Sequence, residues 1–494
     1  SVAFTNVSVS YARENCYKQF IDKTYVVRND GSMYVEDPSM VEGGVKTCDE
    51  FDTAAKKMLS PVVMIDSGNN MYAAVCTDGT LWTWISGLEL QKKFKKSVES
   101  RMHNDLCRHV WKCPQTPSSA DCVPANVPGK VHPNVFGGDR VVQVCCGHSG
   151  MMVLTETGRV WVVGGGECVY MHRERERVQQ DNHDEDVQQE VAGEYTGRVI
   201  ENPMHRGEKI FTKPISMVAM GCAEMNNSKH YVALDEDGGV WTWGSTRNGE
   251  CGFADKNEVE YHVNPTSLPV LLDKSLFGNE KVVMISAGSN RTAAVTKSGR
   301  LWLWGMHFAP SAEYKWTEQF ISGAENMYRP TMVPTQGMDG ELVRSISCSD
   351  SYMLIETTCG ILWTMYDKDH ILRENQGASS FLWGDWDPYT TSKETPPLPR
   401  PVRGPNESDP TDMRVEKFGG AKILACKAGV RSAAVVTENG ELYVWGGLTG
   451  SSHPKRVGHG RKAVQLWSHQ TDNDYIARDR IMALFQGHQE RLGR

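Results

Sequence analysis

The chain has 494 residues, of which 39% are hydrophobic and 23% charged, with 53 Lys plus Arg against 61 Asp plus Glu and a formal net charge of −8. That composition fits a folded, water-soluble protein and excludes disordered, collagen-like and membrane-spanning classes. The negative balance also excludes a surface that grips nucleic acid over its whole extent. Residues 1–16 lack the basic-then-apolar layout of a secretory signal. Cys76, Cys145, Cys146, Cys348 and Cys426 sit in apolar, strand-like runs, where a free thiol acts as a small hydrophobe. Both features predict an intracellular, reducing compartment, with the cytoplasm favoured and an organelle left open.

In chain order, the first element is a degenerate strand pair at 24–36, TYVVRNDGSMYVE. A complete unit follows at 62–84, VVMIDSGNNMYAAVCTDGTLWTW. It reads as a β-branched strand ending at Gly68, a polar turn, a second apolar strand, an Asp-Gly hairpin turn and an aromatic third strand. The hairpin is expected to be a two-residue turn with both central residues at positive φ. Alternation in the third strand is expected to send one set of large side chains inward and the other outward.

An insertion at about 88–140 separates this unit from the next. It carries the basic cluster Lys92, Lys93, Lys95 and Lys96, and also His103, Cys107, His109, Cys113 and Cys122. None of these cysteines forms a Cys-x2-Cys pair, so no zinc site is expected. The unit at 141–164 is followed by a polar insertion at about 167–213, which reads as a solvated segment or a docking arm. Further units occupy 216–244, 282–305 and 343–365. An insertion at about 366–418 contains Pro396-Pro397-Leu398-Pro399-Arg400-Pro401, an extended polyproline-like strap. A last clear unit lies at 423–446 and a degenerate one at 475–487.

The hairpin glycines or their equivalents fall at 31, 79, 158, 238, 299, 360, 440 and 480, where Arg480 replaces Gly. A constant core with variable spacing places the insertions between units, as a radial array tolerates. Short meandering strands in each unit then predict an all-β fold, a single β-propeller over 1–494, with seven blades favoured and eight possible. Third-strand tryptophans (Trp82, Trp84, Trp161, Trp241, Trp243, Trp302, Trp304, Trp363 and Trp445) are expected in the core.

The register of these residues resembles the regulator of chromosome condensation repeat. SAGSNRTAAVTKSGRLWLWG at 286–305 is a close match, and Asn248-Gly249-Glu250-Cys251-Gly252 is similar to that family's tail after the third strand. The family's usual His-Ser/Thr pair is replaced by Asn70-Met71, Arg291-Thr292, Asp350-Ser351 and Arg431-Ser432. The resemblance implies a propeller whose termini share one blade. It also implies a relationship to a nucleotide-exchange factor for a small GTPase, although no residue here matches that factor's working positions.

The turns between first and second strands should emerge together on one face. They present Asn69, Asn70, His148, Asn226, Asn227, Asn290, Arg291, Asp350 and Arg431, a candidate protein-recognition surface. No nucleophile–base motif, phosphate loop or metal-ligand spacing emerges, so neither catalysis nor a cofactor is expected. The expected function is a non-catalytic scaffold or adaptor in a multi-subunit assembly. An exchange factor for a small GTPase and an RNA-associated subunit, using Lys92, Lys93, Lys95 and Lys96, are the alternatives. No membrane-spanning segment is expected.

Overall fold

Each repeat places its Gly residues where backbones must come close and its aromatic residues where two sheets must be filled. The computed structural model describes residues 9–10, 24–28, 33–36, 60, 62–67, 71–85, 128–147, 150–163, 199–202, 204–205, 208–209, 211–223, 228–246, 249–253, 266–288, 290–305, 327–333, 338, 340–349, 352–366, 400–401, 418, 421–428, 432–438, 442–446, 451–457, 462–467 and 480–486. Among them are six four-stranded antiparallel sheets, one five-stranded sheet and a two-stranded hairpin at Met204–His205 and Glu208–Lys209.

The first sheet consists of Val62–Ser67, Met71–Cys76, Leu81–Ile85 and Gly129–Lys130. The second runs Val141–Cys146, Met151–Thr155, Val160–Val163 and Val199–Asn202. The third runs Ile215–Ala223, Ser228–Asp235, Val240–Gly244 and Thr266–Leu271. The fourth is Val282–Ala287, Arg291–Thr296, Leu301–Gly305 and Met327–Met332. The fifth is Val343–Cys348, Tyr352–Thr357, Leu362–Tyr366 and Arg400–Pro401. The sixth is Ile423–Ala428, Ser432–Thr437, Leu442–Gly446 and Ser451–Val457.

The remaining sheet joins the two ends of the chain. Lys462–Trp467 pairs antiparallel with Arg480–Gln486. Arg480–Gln486 then pairs in parallel with Thr24–Arg28, which carries Met33–Glu36. Val9–Ser10 also pairs with Arg480–Gln486. The first strand of each sheet packs on the first strand of the next, from Val62–Ser67 round to Lys462–Trp467 and back to Val62–Ser67. This is a β-propeller.

The unit is therefore four-stranded, not three-stranded as the repeat suggests. The outer strands at Gly129–Lys130, Val199–Asn202 and Arg400–Pro401 fall inside the three stretches assigned to insertions.

The core lies between sheets. Val75, Leu81 and Phe136 meet Val141, Val153 and Trp161 between the first and second, and equivalent clusters fill the next four gaps. This geometry corrects the expected alternation. Val160–Val163 and Val240–Gly244 are buried at every position, because a neighbouring sheet covers each face. Of the third-strand tryptophans, Trp82, Trp84, Trp161, Trp241, Trp243, Trp304 and Trp363 are core residues, with Trp84, Trp243 and Trp304 fully buried. Trp302 is half-buried, and the Trp445 side chain lies outside the described residues. Tyr72 stacks on Trp84 at 5.6 Å and Tyr231 on Trp243 at 5.4 Å.

The hairpin turns also differ from the expected two-residue form. Thr155 N–H donates to the Arg159 carbonyl and Gly158 N–H to the Thr155 carbonyl, while Gly158 has φ 76°. This is a three-residue loop, a type I turn followed by one left-handed residue. Only the Gly needs positive φ, which is why Asp, Thr or Ser can precede it. The Gly158 carbonyl also accepts the Ile215 N–H at 3.0 Å, so the turn hands the chain's hydrogen bonding on to the next sheet.

Gly288, directly after the first strand of the fourth sheet, has another cause. A Cβ on Gly288 would stand 2.2 Å from the Ser349 carbonyl oxygen of the next sheet. Neighbouring inner strands converge there too closely for any side chain.

Two further repeated devices set the geometry. Every first strand has a register shift one or two residues in, as between Val141 and Gln143 or between Val282 and Met284. Such bulges increase local twist and turn the extra residue outward. Short 3-10 turns at Pro133–Phe136 and Lys274–Phe277 drive Phe136 and Phe277 between sheets. Phe136 meets Trp161 edge-on at 5.8 Å, and Phe277 meets Trp302 and Trp304 at 5.8 and 5.9 Å. No helix among the described residues is long and apolar enough to cross a membrane.

Candidate functional site

Two sets of turns emerge at opposite ends of the strands. One set joins first to second strands and carries the residues singled out in the sequence; the other contains the Gly hairpins between second and third strands.

Of the first set, Asn69, Asn70, His148, Asn226, Asn227, Asp350 and Arg431 lie outside the described residues. Lys92, Lys93, Lys95 and Lys96, and the His103–Cys122 group, lie outside them as well. Asn290 is half-buried in its turn, with its carbonyl against Gly305. Arg291 differs from expectation, being only 5% exposed. Its carbonyl accepts the Gly288 N–H at 2.8 Å, and its aliphatic stem lies along Gly288. A long side chain folded back on a glycine packs the junction between sheets instead of facing a partner.

Beneath this turn the structure holds a buried polar junction that sequence reading passed over. Its members come from three places: His230 and Lys229 in the third sheet, Thr292 in the fourth, and the tail after the Trp243-Gly244 strand end, which carries Glu250 and Cys251. His230 Nε2 and Thr292 Oγ1 are 3.0 Å apart. Thr292 also donates to the Glu250 carbonyl at 2.9 Å, and Trp304 Nε1 donates to the same carbonyl at 2.8 Å. Thr292 has a single hydroxyl proton, so Nε2 is the donor to Thr292 and Nδ1 carries no proton.

Thr242 Oγ1 donates to the Cys251 carbonyl at 2.6 Å, which fixes the tail on its own strand. Burial, partly offset by a hydrogen bond to the Arg291 backbone, lowers the His230 pKa to about 4, so the imidazole is neutral at physiological pH. The arrangement superficially resembles a hydroxyl–imidazole pair poised for acyl transfer. However, both groups are fully buried, and the hydroxyl proton is committed to a backbone carbonyl. The junction binds blade to blade.

The thiols are similarly enclosed. Burial raises Cys76 and Cys426 to about 12 and Cys348 to about 11, and it also raises Cys145. These are free cysteines with little thiolate at neutral pH. Among the described residues, no group of three or more His, Cys, Asp or Glu side chains is arranged to hold a metal ion.

At the opposite end, the hairpins are tied to the links between sheets by charge. Thr157 Oγ1 and Arg159 bind Asp139, the latter at 3.2 Å. Ser298 Oγ binds Glu280, which Arg300 approaches at 2.9 Å. The hydroxyls of Thr157 and Ser298 are the main reason both carboxyls lie below their ordinary pKa.

A family model for the regulator of chromosome condensation (RCC1) repeat matches residues 237–295, which include Glu250, Cys251 and Thr292 of this junction but not Lys229 or His230. The structure of Prp20p from Saccharomyces cerevisiae superimposes with a TM-score of 0.55 at 15% identity, covering 98% of this chain and 94% of that one. The chain is similar to RCC1-repeat propellers in fold, and to the repeat itself over residues 237–295. Human E3 ubiquitin-protein ligase HERC2 is 24% identical to this chain over 282 residues, which is 57% of this chain and 4% of HERC2. Ras guanine nucleotide exchange factor C of Dictyostelium discoideum is 26% identical over 260 residues, 47% of this chain and 15% of that protein. The matched region thus spans only a small part of the length of these two relatives.

Proposed function

We propose that this RCC1-like propeller is a non-catalytic scaffold that binds proteins through its turn faces and its insertions at about 88–140, 167–213 and 366–418, within a multi-subunit assembly. The observation that carries this reading is the His230–Thr292–Glu250 junction. There a hydroxyl and an imidazole, among the described residues, are fully buried and bonded to each other and to a backbone carbonyl between two blades. A ring locked in that way offers rigid surfaces, and rigidity lowers the entropic cost of recognition. Asn69, Asn70, His148, Asn226, Asn227, Asn290, Asp350 and Arg431 remain the contact residues of the first turn face. Free thiols at Cys76, Cys348 and Cys426 support an intracellular, reducing compartment.

A second reading is exchange activity on a small GTPase. It draws on the Dictyostelium relative, a Ras guanine nucleotide exchange factor, and on Prp20p, described by its binding to Gsp1p and histones.

Affinity purification of the tagged chain separates these readings. The scaffold reading expects partner proteins in fixed ratio that survive nuclease treatment and high salt. It also expects no acceleration of nucleotide release from a panel of small GTPases. A chain that purifies alone, a nuclease-sensitive association, or accelerated release would overturn it.

A further inference from the structure

At the hairpin end of the propeller, one sheet brings like charges together where two others pair opposite ones. In each of five sheets, the first residue of the hairpin turn donates its N–H to the carbonyl of the residue just ahead of the first strand. The pairs are Glu156 with Arg140, Glu236 with Pro214, Lys297 with Lys281, Thr358 with Leu342 and Glu438 with Lys422. In the second and sixth sheets the two positions carry opposite charges, and Arg140 and Glu156 approach to 3.7 Å. In the fourth sheet both are lysines, placed side by side by a 2.8 Å backbone hydrogen bond.

Like charges in this register cost stability, and nothing nearby cancels both. Lys281 Nζ donates to the Glu236 backbone carbonyl. The carboxylate of Asp237 is bound by Lys213 and also acts through space on Lys281 and Lys274, Glu280 is bound by Arg300 and Ser298, and Asp273 accepts from the Ser275 N–H. Among the described residues, no carboxylate pairs with Lys297.

The same sector exposes large aliphatic side chains. Val283, the bulge residue after Lys281, is 44% exposed, and Leu342, packed on the turn that contains Lys297, is 47% exposed. Met332, at the hairpin end of the outer strand, is 46% exposed.

We propose that the hairpin end of the fourth and fifth sheets, centred on Lys281, Lys297, Val283 and Leu342, docks a protein segment in which carboxylates alternate with aliphatic side chains. Charge complementarity selects the acid. The exposed aliphatics, which a phosphate backbone has no use for, select a peptide over a nucleic acid. The inference rests on the scaffold reading and assigns it a second surface, on the end opposite the Asn-rich turns.

The test is fluorescence anisotropy on the full chain with three labelled probes: a short synthetic peptide alternating Glu or Asp with Leu, an all-Glu peptide of equal charge, and a single-stranded oligonucleotide of equal charge. The alternating peptide is expected to bind most tightly. K297E installs the glutamate of the sister sheets, and should weaken binding about tenfold while leaving the unfolding midpoint unchanged or slightly raised. L342S should weaken it about fivefold, at an exposed site where truncation leaves the fold intact. Equal binding of the oligonucleotide or the all-Glu peptide, no saturable binding of the alternating peptide, or wild-type affinity in K297E overturns the proposal. Because the purification above does not depend on this surface, its outcome distinguishes failure of the patch from failure of the scaffold reading.

Discussion

Trp304→Ala is expected to lower the unfolding free energy by about 3–5 kcal/mol, the range for removing a fully buried indole from a core. Trp304 packs edge-on against Phe277, lies against Gly252 of the preceding blade's tail, and donates through Nε1 to the Glu250 carbonyl. The substitution removes apolar contact between two blades and leaves a buried carbonyl with one donor fewer. Trp304→Phe should lose less, about 1–3 kcal/mol, because it keeps a ring but not the hydrogen bond. Urea unfolding monitored by fluorescence and by far-ultraviolet circular dichroism checks both. A loss below about 1 kcal/mol for the alanine variant would show that the third and fourth blades are not joined through this residue.

Acidification provides the second large effect. His230 titrates near 4 in the folded chain against an ordinary value of 6.5. The unfolded chain therefore binds this proton first, and stability is lost as pH falls from about 6.5 towards 4, approaching about 3 kcal/mol at the low end. The carboxyls of Asp139 and Glu280 are lowered in the folded state and shed their stabilisation mostly below that window. Unfolding free energies between pH 7.5 and 5 should therefore fall in the wild type and stay nearly level in His230→Asn. Parallel curves for the two proteins would mean that the imidazole is not held neutral in the junction.

What the sequence discloses and what it hides both have physical causes. The inner three strands were readable because their hairpin glycines and buried third-strand aromatics recur under tight steric constraint. The outer strands were not, because each pairs along only one edge and carries little pattern. Thr266–Leu271, Met327–Met332, Arg400–Pro401 and Ser451–Val457 each include a proline, which an edge strand tolerates and which argues against a strand in isolation.

The interblade wedge did leave a signal. Phe136, Phe277, Met338 and Phe418 each stand five residues ahead of a first strand and are buried, although Phe136 and Phe418 fall inside the stretches assigned to insertions. Side-chain direction was the least accessible feature. Arg291 occupies the turn where polarity suggested a contact residue, but the neighbouring Gly288 leaves room for it to fold inward. The His230–Thr292 contact links residues 62 positions apart, so local pattern could not have revealed it.

The central structural claim is that the ring is closed by the two ends of the chain. Pulsed electron–electron resonance between spin labels introduced at positions 27 and 484, which are register partners on adjacent parallel strands, tests it most directly. Neighbouring strands lie about 5 Å apart, so the closed propeller predicts a single narrow distribution at the short limit of label separation. A broad distribution at long distance would contradict it.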